Sequence, residues 1–222
     1  MKNTISGFAA AAAALSLSAG ASMAADVATS AGYDWTGLYL GAHGGYVWGE
    51  ADVGYEGDDG GGDLDGFLGG ALAGYNFQTD MIVLGVEGDV GGGDVNGNGA
   101  VGAPPPQPAS YYTYDLDWNA HLRARAGVAV DKALFFVAGG LAVARHTLSA
   151  EENNQSHGDD SQTHTGWTIG AGVEYALTDN LLLRAEYLYD DYGSQTYSDD
   201  EGDEYDVDLT AQTVRAALSY KF

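Results

Sequence analysis

The sequence predicts an all-β fold: an eight-stranded antiparallel up-and-down transmembrane β-barrel that follows a signal peptide. Eight segments alternate between apolar and polar side chains, as strands do when their two faces meet different surroundings. The connections between these segments are alternately short and long, which is typical of a meander that closes into a barrel. All five arginines lie inside the predicted strands and none lies in a loop. These three observations favour a polar interior and an apolar outside.

The N-terminus has the pattern of a secretory signal peptide. Lys2 provides a basic start, residues 5–21 form an apolar run of small residues, and Ser22-Met23-Ala24 is a small-x-small site. We expect cleavage after Ala24, with Ala25 as the alternative. An uncleaved membrane helix is the other interpretation, although the run is short and rich in weakly hydrophobic alanine. The predicted division is a signal peptide over 1–24, a short periplasmic segment over 25–34 and the barrel over 35–222.

The composition limits the classes of protein to consider. The 222 residues carry a formal net charge of −24, and they include 34 glycines and 15 tyrosines. Such contents indicate turns and aromatic-rich strands. The acidic balance argues against a nucleic-acid partner, since nucleic acids bind basic surfaces. The chain has no cysteine, so a disulfide framework is excluded even though export is predicted.

The first four predicted strands cover residues 35–48, 66–77, 82–90 and 112–130. The first two, WTGLYLGAHGGYVW and GFLGGALAGYNF, alternate large apolar residues with small ones. The third, IVLGVEGDV, places Glu87 and Asp89 on the face opposite its aliphatic residues. The fourth carries Arg123 and Arg125 on one face, and Trp118 with leucine and alanine on the other.

The last four predicted strands cover residues 134–148, 166–177, 181–190 and 208–222. The fifth contains Arg145, and the sixth, GWTIGAGVEYAL, places Glu174 opposite apolar residues. The seventh has Arg184 and Glu186 on one face, and the eighth alternates strictly through TVRAALSYKF. The connections after strands two, four and six are the tight sequences QTDM, DKA and TDN, whereas the others are long and polar.

The charged strand faces decide between a membrane barrel and two soluble folds, a lipocalin-type barrel and a β-sandwich. These faces carry both signs in near balance, whereas the loops are overwhelmingly acidic. A closed interior requires such pairing, because a lone buried charge is costly. An arginine that faced lipid at mid-bilayer would cost about 2–4 kcal/mol. We therefore predict a membrane barrel with a plugged lumen, and a narrow ion path as the alternative. The predicted lumen charge network is Glu87, Asp89, Asp117, Arg123, Arg125, Arg145, Glu174, Arg184, Glu186, Arg215 and Lys221.

Aromatic residues cluster near the ends of the predicted strands. Such positions suit the aromatic belts at the two interfaces of a membrane barrel. The residues that we assign to these belts are Trp35, Trp48, Phe77, Trp118, Trp167, Tyr189, Tyr220 and Phe222.

Five ordered segments of the chain resemble a known family. DWTGLYLGAHGGY, GALAGYNFQ, GWTIGAGVEYALTDN, LRAEYLYDDYG and TVRAALSYKF look like the small outer-membrane β-barrel proteins of alphaproteobacteria, the opacity-type, porin-like surface proteins of Brucella, Bartonella and rhizobia. The resemblance spans the predicted mature chain. It implies an eight-stranded barrel of abundant surface proteins, some of which bind hemin. The loops here are more acidic than the family pattern, so functions carried by loops transfer least.

The final strand resembles the signal by which the barrel-assembly machinery recognises its clients. The residues concerned are Leu218, Tyr220 and Phe222, which share the lipid-facing register and end on an aromatic ring. Simple interfacial anchoring by the same aromatic residues is the alternative interpretation.

Candidate ligand contacts are few. His157 and His164 share the segment EENNQSHGDDSQTHT and are candidate hemin contacts, with ordinary polar loop residues as the alternative. Asp94 to Gly99, DVNGNG, matches the opening of a calcium loop, but Pro105 stands where the bidentate glutamate belongs. We predict no metal site and no cofactor, although the acidic loops are candidates for diffuse divalent-cation binding. No Ser-His-acid spacing is diagnostic of an enzyme.

The sequence thus predicts a non-enzymatic structural protein of the cell outer membrane that supports envelope integrity and presents acidic loops outside. Its expected partners are outer-membrane lipids and lipopolysaccharide, and the barrel-assembly machinery, with hemin or divalent cations as further candidates. The functional alternatives are a hemin or divalent-cation receptor and a narrow porin-like channel.

Overall fold

The computed structural model describes residues 32–55, 58–101, 110–152, 155–198 and 204–222 as a closed barrel of eight antiparallel strands. Each strand pairs with the next, and β1 pairs with β8 to close the sheet. This confirms the predicted fold class. The strands are β1 Gly37–Tyr55, β2 Asp58–Thr79, β3 Ile82–Val101, β4 Ser110–Val130, β5 Ala133–Glu152, β6 Gln155–Ala176, β7 Leu181–Ser198 and β8 Glu204–Lys221.

The strands extend further than predicted at one end of the barrel. They are 18 to 22 residues long, and the acidic segment after the first predicted strand continues the β1–β2 ladder as far as the pair Tyr55↔Asp58. Glycine and aspartate have low β-propensity, so these segments were predicted to be loops. The ladder forms because backbone pairing with the neighbouring strand outweighs the low β-propensity of these side chains. The predicted signal peptide and the tips of the four long hairpins lie outside the described residues.

Three short turns lie at the opposite end, where they were predicted. They contain Asp80 with Met81, Asp131 with Lys132, and residues 177–180. Asp80 and Asp131 adopt positive φ angles of 54° and 51°, a region that aspartate tolerates better than most residues. We call this end of the barrel the turn end and the other the hairpin end.

The outward face of the barrel is apolar over the height of a bilayer. Phe67 and Phe77 lie on the same face of β2 and are 73% and 57% exposed. Ten residues at about 3.3 Å each, tilted by about 40°, separate their levels by about 25 Å, the height of the apolar band on membrane barrels. Within the described residues, no helix is long and apolar enough to span a membrane.

Aromatic side chains mark both edges of this band. Trp118 and Trp167 lie at the hairpin end, and Tyr220 and Phe222 at the turn end, all with exposed rings. Trp35 does not belong to either belt: its side chain is 0% exposed and lies inside the barrel mouth. The prediction for Trp35 was wrong because the residue precedes β1, where strand alternation does not apply.

The interior contains three layers of side chains. Nearest the turns is an apolar layer that we call the lower layer: Trp35, Val83, Leu134, Phe136, Ala138, Ala176 and Leu182. A layer of charged residues follows in the middle. Beyond it, towards the hairpins, is the upper layer: Val47, Leu64, Leu68, Val95, Ala142, Ala144, Tyr192 and Leu209. Inward-facing glycines leave room for the larger side chains. A Cβ at Gly74, for example, would lie 2.2 Å from the Tyr39 hydroxyl.

Candidate functional site: the charged interior

The middle of the barrel holds a connected group of buried charges, which we call the central charge cluster. Strand alternation turns these side chains inward from β3, β4, β6, β7 and β8. All of its members are buried. The cluster consists of Glu87, Asp89, Arg123, Arg125, Glu174, Arg184, Glu186 and Arg215.

The strand register brings several opposite charges face to face. Glu87 is paired with Arg123 across β3 and β4, and Glu174 with Arg184 across β6 and β7. Glu186 is likewise paired with Arg215 across β7 and β8. Directly opposed side chains on one face lie close enough to interact. Three of the four arginines therefore have a carboxylate directly opposite on the neighbouring strand.

Glu87 contacts the largest number of arginines within hydrogen-bond reach. Its carboxylate accepts from Arg123 Nη2 at 2.5 Å and pairs with Arg184 Nη1 at 2.7 Å. Arg125 Nη1 lies 3.5 Å away, and the Tyr39 hydroxyl donates to Glu87 at 2.7 Å. One carboxylate thus joins side chains from β1, β4 and β7 across the lumen.

A second junction lies around Glu186 and Asp89. Arg215 Nε donates to Glu186 at 2.9 Å, and its Nη1 donates to Asp89 at 3.0 Å. Arg123 Nη1 donates to Glu186 at 2.7 Å. Arg123 therefore links the two junctions, since it also donates to Glu87. Charge-assisted bonds of this kind are stronger than neutral ones, and they satisfy groups that burial would otherwise penalise.

The cluster rests on an aromatic surface at its lower side. The guanidinium of Arg125 lies 4.2 Å from the centroid of the Phe136 ring, and that of Arg184 lies 5.2 Å from it. Arg125 also donates to the Tyr39 hydroxyl at 2.9 Å. Cations over aromatic faces are stabilised when they are desolvated. Phe136 thus joins the charge cluster to the lower apolar layer.

A histidine continues the polar interior towards the hairpin end. His121 Nδ1 lies 2.8 Å from Asp89, and its Nε2 lies 3.3 Å from Asp190. Asp190 also lines a small cavity of about 20 Å³ at the level of the upper layer. The lining residues are Val47, Leu64, Leu116, Asn119, Asp190, Tyr192, Leu209, Ala211 and Thr213.

The turn end is covered by residues 32–36, which we call the N-terminal segment. Trp35 donates its backbone N–H to Gln78 Oε1 at 2.7 Å, and the Tyr33 hydroxyl donates to the Asp179 carbonyl at 2.7 Å. Lys221 donates to the backbone carbonyls of Asp34 and Thr36. Burial, together with nearby carboxylates, raises the pKa of Tyr33 to about 12. The segment is therefore held to β2, to β8 and to the turn between β6 and β7.

Three residues assigned to the lumen network lie elsewhere. Arg145 and Asp117 have side chains that are 47% and 40% exposed, 3.9 Å apart, near the hairpin end. The buried residues of β5 have even numbers, so Arg145 is on its outward face. Asp117 is turned out by a bulge between Leu116 and Trp118. Lys221 lies at the barrel rim and binds the N-terminal segment.

The two histidines proposed as hemin contacts are not an exposed loop pair. His164 lies in β6 with its side chain 4% exposed. Thr168 and Glu174, at even spacing on the same strand, are also buried, so His164 lies on the inward face of β6. The side chain of His157 lies outside the described residues. Asp94 to Gly99, the partial calcium motif, belongs to strand β3 and does not form a loop.

The predicted lumen network left out three polar neighbours of the cluster. The Tyr39 hydroxyl donates to Glu87, His121 lies 2.8 Å from Asp89, and Asp190 joins the network through His121 Nε2. His121 and Asp190 share the faces of Arg123 and Arg184, so alternation alone could have added them. Tyr39 shares the inward face of β1 with His43. This is a weaker signal, because neither side chain carries a full charge at neutral pH at its ordinary pKa.

The residues assigned to the assembly signal all face outward. Leu218, Tyr220 and Phe222 are exposed on the apolar band at the turn end. The rings of Tyr220 and Phe222 pack edge to face with centroids 5.1 Å apart. The backbone N–H of Phe222 donates to the Leu38 carbonyl at 2.9 Å, which extends the β1–β8 seam to the last residue described.

Comparisons with known proteins agree with this geometry. Residues 9–222 match the family described as the outer membrane protein beta-barrel domain. The chain is 33% identical over 205 residues to the 31 kDa outer-membrane immunogenic protein of Brucella melitensis, a match that covers 86% of this chain and 85% of that protein. It is 32% identical over 191 residues to the 22 kDa outer membrane protein of Rhizobium leguminosarum, with 85% and 78% covered.

A solved structure supports the fold alone. The crystal structure of the outer membrane protein OprG from Pseudomonas aeruginosa aligns with a TM-score of 0.54 at 12% identity, and the match covers 86% of this chain and 99% of that one. Since the family match and both relatives span most of the sequence, the chain is a member of the outer membrane protein beta-barrel domain family and an outer-membrane protein.

Proposed function

We propose that the protein is a structural barrel whose sealed lumen and acidic outer hairpins contribute to the integrity of the outer membrane. The observation that carries this proposal is the filling of the interior by the lower layer, the central charge cluster and the upper layer. Eight strands enclose a space just wide enough for side chains to fill it. The barrel then adds a rigid, non-conducting wall to the membrane.

The charge cluster supports sealing because its groups are already paired. Arg123 contacts Glu87 at 2.5 Å and Glu186 at 2.7 Å. A permeant ion would have to separate Arg123 from one of these carboxylates. Removing one partner from a buried pair costs about 3–5 kcal/mol. Two apolar layers, one above and one below, impose a further desolvation cost on an ion.

The surface of the protein is proposed to contact lipopolysaccharide and other outer-membrane lipids, with divalent cations between the acidic hairpins and anionic headgroups. The net charge of −24 favours such bridging, since like charges otherwise repel. Hemin binding has less support, because His164 is buried within β6. The exposed register of Phe222 supports recognition by the barrel-assembly machinery.

Two experiments test the proposal. Purified full-length protein, placed in planar bilayers beside an open porin as positive control, is expected to show no steady conductance. A strain that lacks the gene is expected to become sensitive to detergent and chelator, and the wild-type gene should restore its resistance. Large, steady currents would overturn the sealed lumen, and unchanged resistance of the deletion strain would overturn the role in integrity.

A further inference from the structure

Arg145 is set apart from every other basic residue of the described chain. Four arginines belong to the central charge cluster, and Lys132 and Lys221 lie at the turn end. We call the half of the barrel nearer the hairpin end the hairpin half. Among the lysines and arginines of the described ranges, Arg145 alone lies on the outward face of this half. Its side chain is 47% exposed. In a chain of net charge −24, this single cation is the natural contact for an anion at that level.

The strand register surrounds Arg145 with residues suited to a membrane surface. It is paired with Trp118 on β4 and with Thr163 on β6. Thr165 and Trp167 follow at alternate, outward positions of β6, and all four side chains are exposed. Opposed residues have Cβ atoms about 4.5–5.5 Å apart. A guanidinium, two hydroxyl groups and two indole rings thus share one patch, which we call the Arg145 patch.

The patch lies at the depth of lipid headgroups. Trp167 belongs to the aromatic edge of the apolar band, and Thr163 is four residues further along β6. At about 3.3 Å per residue and a tilt of about 40°, Thr163 and the directly opposed Arg145 lie about 10 Å above that edge. The short turns of such barrels face the periplasm, so the patch faces the outer leaflet.

We propose that the Arg145 patch binds the phosphorylated headgroup of an outer-leaflet glycolipid. The guanidinium matches a phosphate in a bidentate geometry. Thr163 and Thr165 supply hydroxyl donors, and the indole rings of Trp118 and Trp167 supply surfaces at which sugar and acyl chain meet. This inference rests on the proposed function in one respect, since it takes the outer leaflet as the surroundings of the hairpin half.

Asp117 adjusts this site. Its carboxylate lies 3.9 Å from Arg145 Nε and is itself exposed. It lowers the local positive potential and competes with a phosphate for the guanidinium. Divalent cations would relieve this competition by neutralising Asp117 or by bridging it to the phosphate. The site therefore combines one attractive and one repulsive charge, and these can be altered separately.

The test measures the retention of lipids by purified full-length protein in native mass spectrometry. The probes are bisphosphorylated lipid A, its enzymatically dephosphorylated form and phosphatidylglycerol. Arg145→Gln is expected to reduce the affinity for bisphosphorylated lipid A about fivefold, the effect of one basic residue near an anionic surface. Arg145→Lys should retain part of it, and Asp117→Asn should increase it.

Matched controls separate the site from overall charge. Lys132→Gln removes one positive charge at the turn end, and Asp94→Asn removes one exposed negative charge elsewhere on the hairpin half; neither should change lipid A binding. Equal binding by Arg145→Gln and wild type, or equal losses in Arg145→Gln and Lys132→Gln, would overturn the proposal. Equal loss for phosphatidylglycerol would assign the site to phospholipid and overturn the glycolipid assignment. None of these outcomes bears on conductance, so the sealed lumen stands or falls independently.

Discussion

Replacing Glu87 by glutamine is the sharpest test of the charged interior. The substitution keeps the shape of the side chain and removes its charge. Three guanidinium groups, those of Arg123, Arg125 and Arg184, lie 2.5, 3.5 and 2.7 Å from the Glu87 carboxylate. At an effective dielectric constant of about 20, each such pair is worth on the order of 4 kcal/mol before desolvation is subtracted.

The net effect is smaller, because the buried carboxylate no longer pays its own desolvation cost. Loss of one partner from a buried ion pair usually destabilises by about 3–5 kcal/mol. We expect Glu87→Gln to lower the free energy of unfolding by that amount. The measurement is urea-induced unfolding in lipid vesicles, followed by tryptophan fluorescence. Both the midpoint and the slope should be determined, because a change in slope would indicate a change in the folded or unfolded state.

Asp94→Asn is the matched control for this measurement. It makes the same carboxylate-to-amide change at an exposed position of β3, where surface substitutions usually change stability by less than about 0.5 kcal/mol. If Glu87→Gln were no more destabilising than Asp94→Asn, the central charge cluster would not stabilise the barrel, and the reasoning from its geometry would be refuted.

Three further changes test other parts of the structure. Trp35→Ala should destabilise the barrel by about 3–5 kcal/mol, as other large-to-small core changes do, whereas Trp167→Ala on the exposed face should cost much less in the same unfolding assay; equal effects would contradict the burial of Trp35. A hydrogen bond from the Thr36 backbone N–H, with help from its hydroxyl and Lys221, lowers the pKa of Asp34. The resulting stability is present above the unfolded pKa of about 3.9 and is lost as pH falls through the lower folded pKa. Asp34→Asn should therefore make the free energy of unfolding less dependent on pH below pH 4. An unchanged pH dependence in this range would argue against a stabilising role for the Asp34 carboxylate. Deletion of Phe222 should slow membrane assembly in cells, measured by heat-modifiable migration of the folded barrel, and normal assembly of the truncated chain would leave only an anchoring role.

The sequence predicted the number of strands, their order and most of the interior charges, because alternation is a local property. Glu87 and Arg123 could be assigned to one face each from their own strands. That they are directly opposed is a matter of register between strands, which alternation does not specify. The layered interior was also missed, since Trp35 and Phe136 come from segments distant in the sequence.

The errors have three causes. The bulge at Asp117 adds one residue to β4 and changes the face of the side chain, and nothing in the local pattern marks it. Arg145 was grouped with the other arginines by residue type, although its neighbours along β5 place it outside. The acidic hairpins were taken for loops because their composition is poor in strand-forming residues.

The arrangement of opposite charges on adjacent strands has a consequence for the route into the bilayer. When β3 meets β4, or β6 meets β7, Glu87 is matched with Arg123 and Glu174 with Arg184 before the sheet has closed. Such strand pairs enter the membrane with part of their charge already cancelled. Arg125 differs, because it lies opposite Gly85: it reaches Glu87 on β3 at 3.5 Å and Glu174 on β6 only across the lumen. The contact with Glu174 forms when the sheet curls, so this contact reports the last stage of barrel formation.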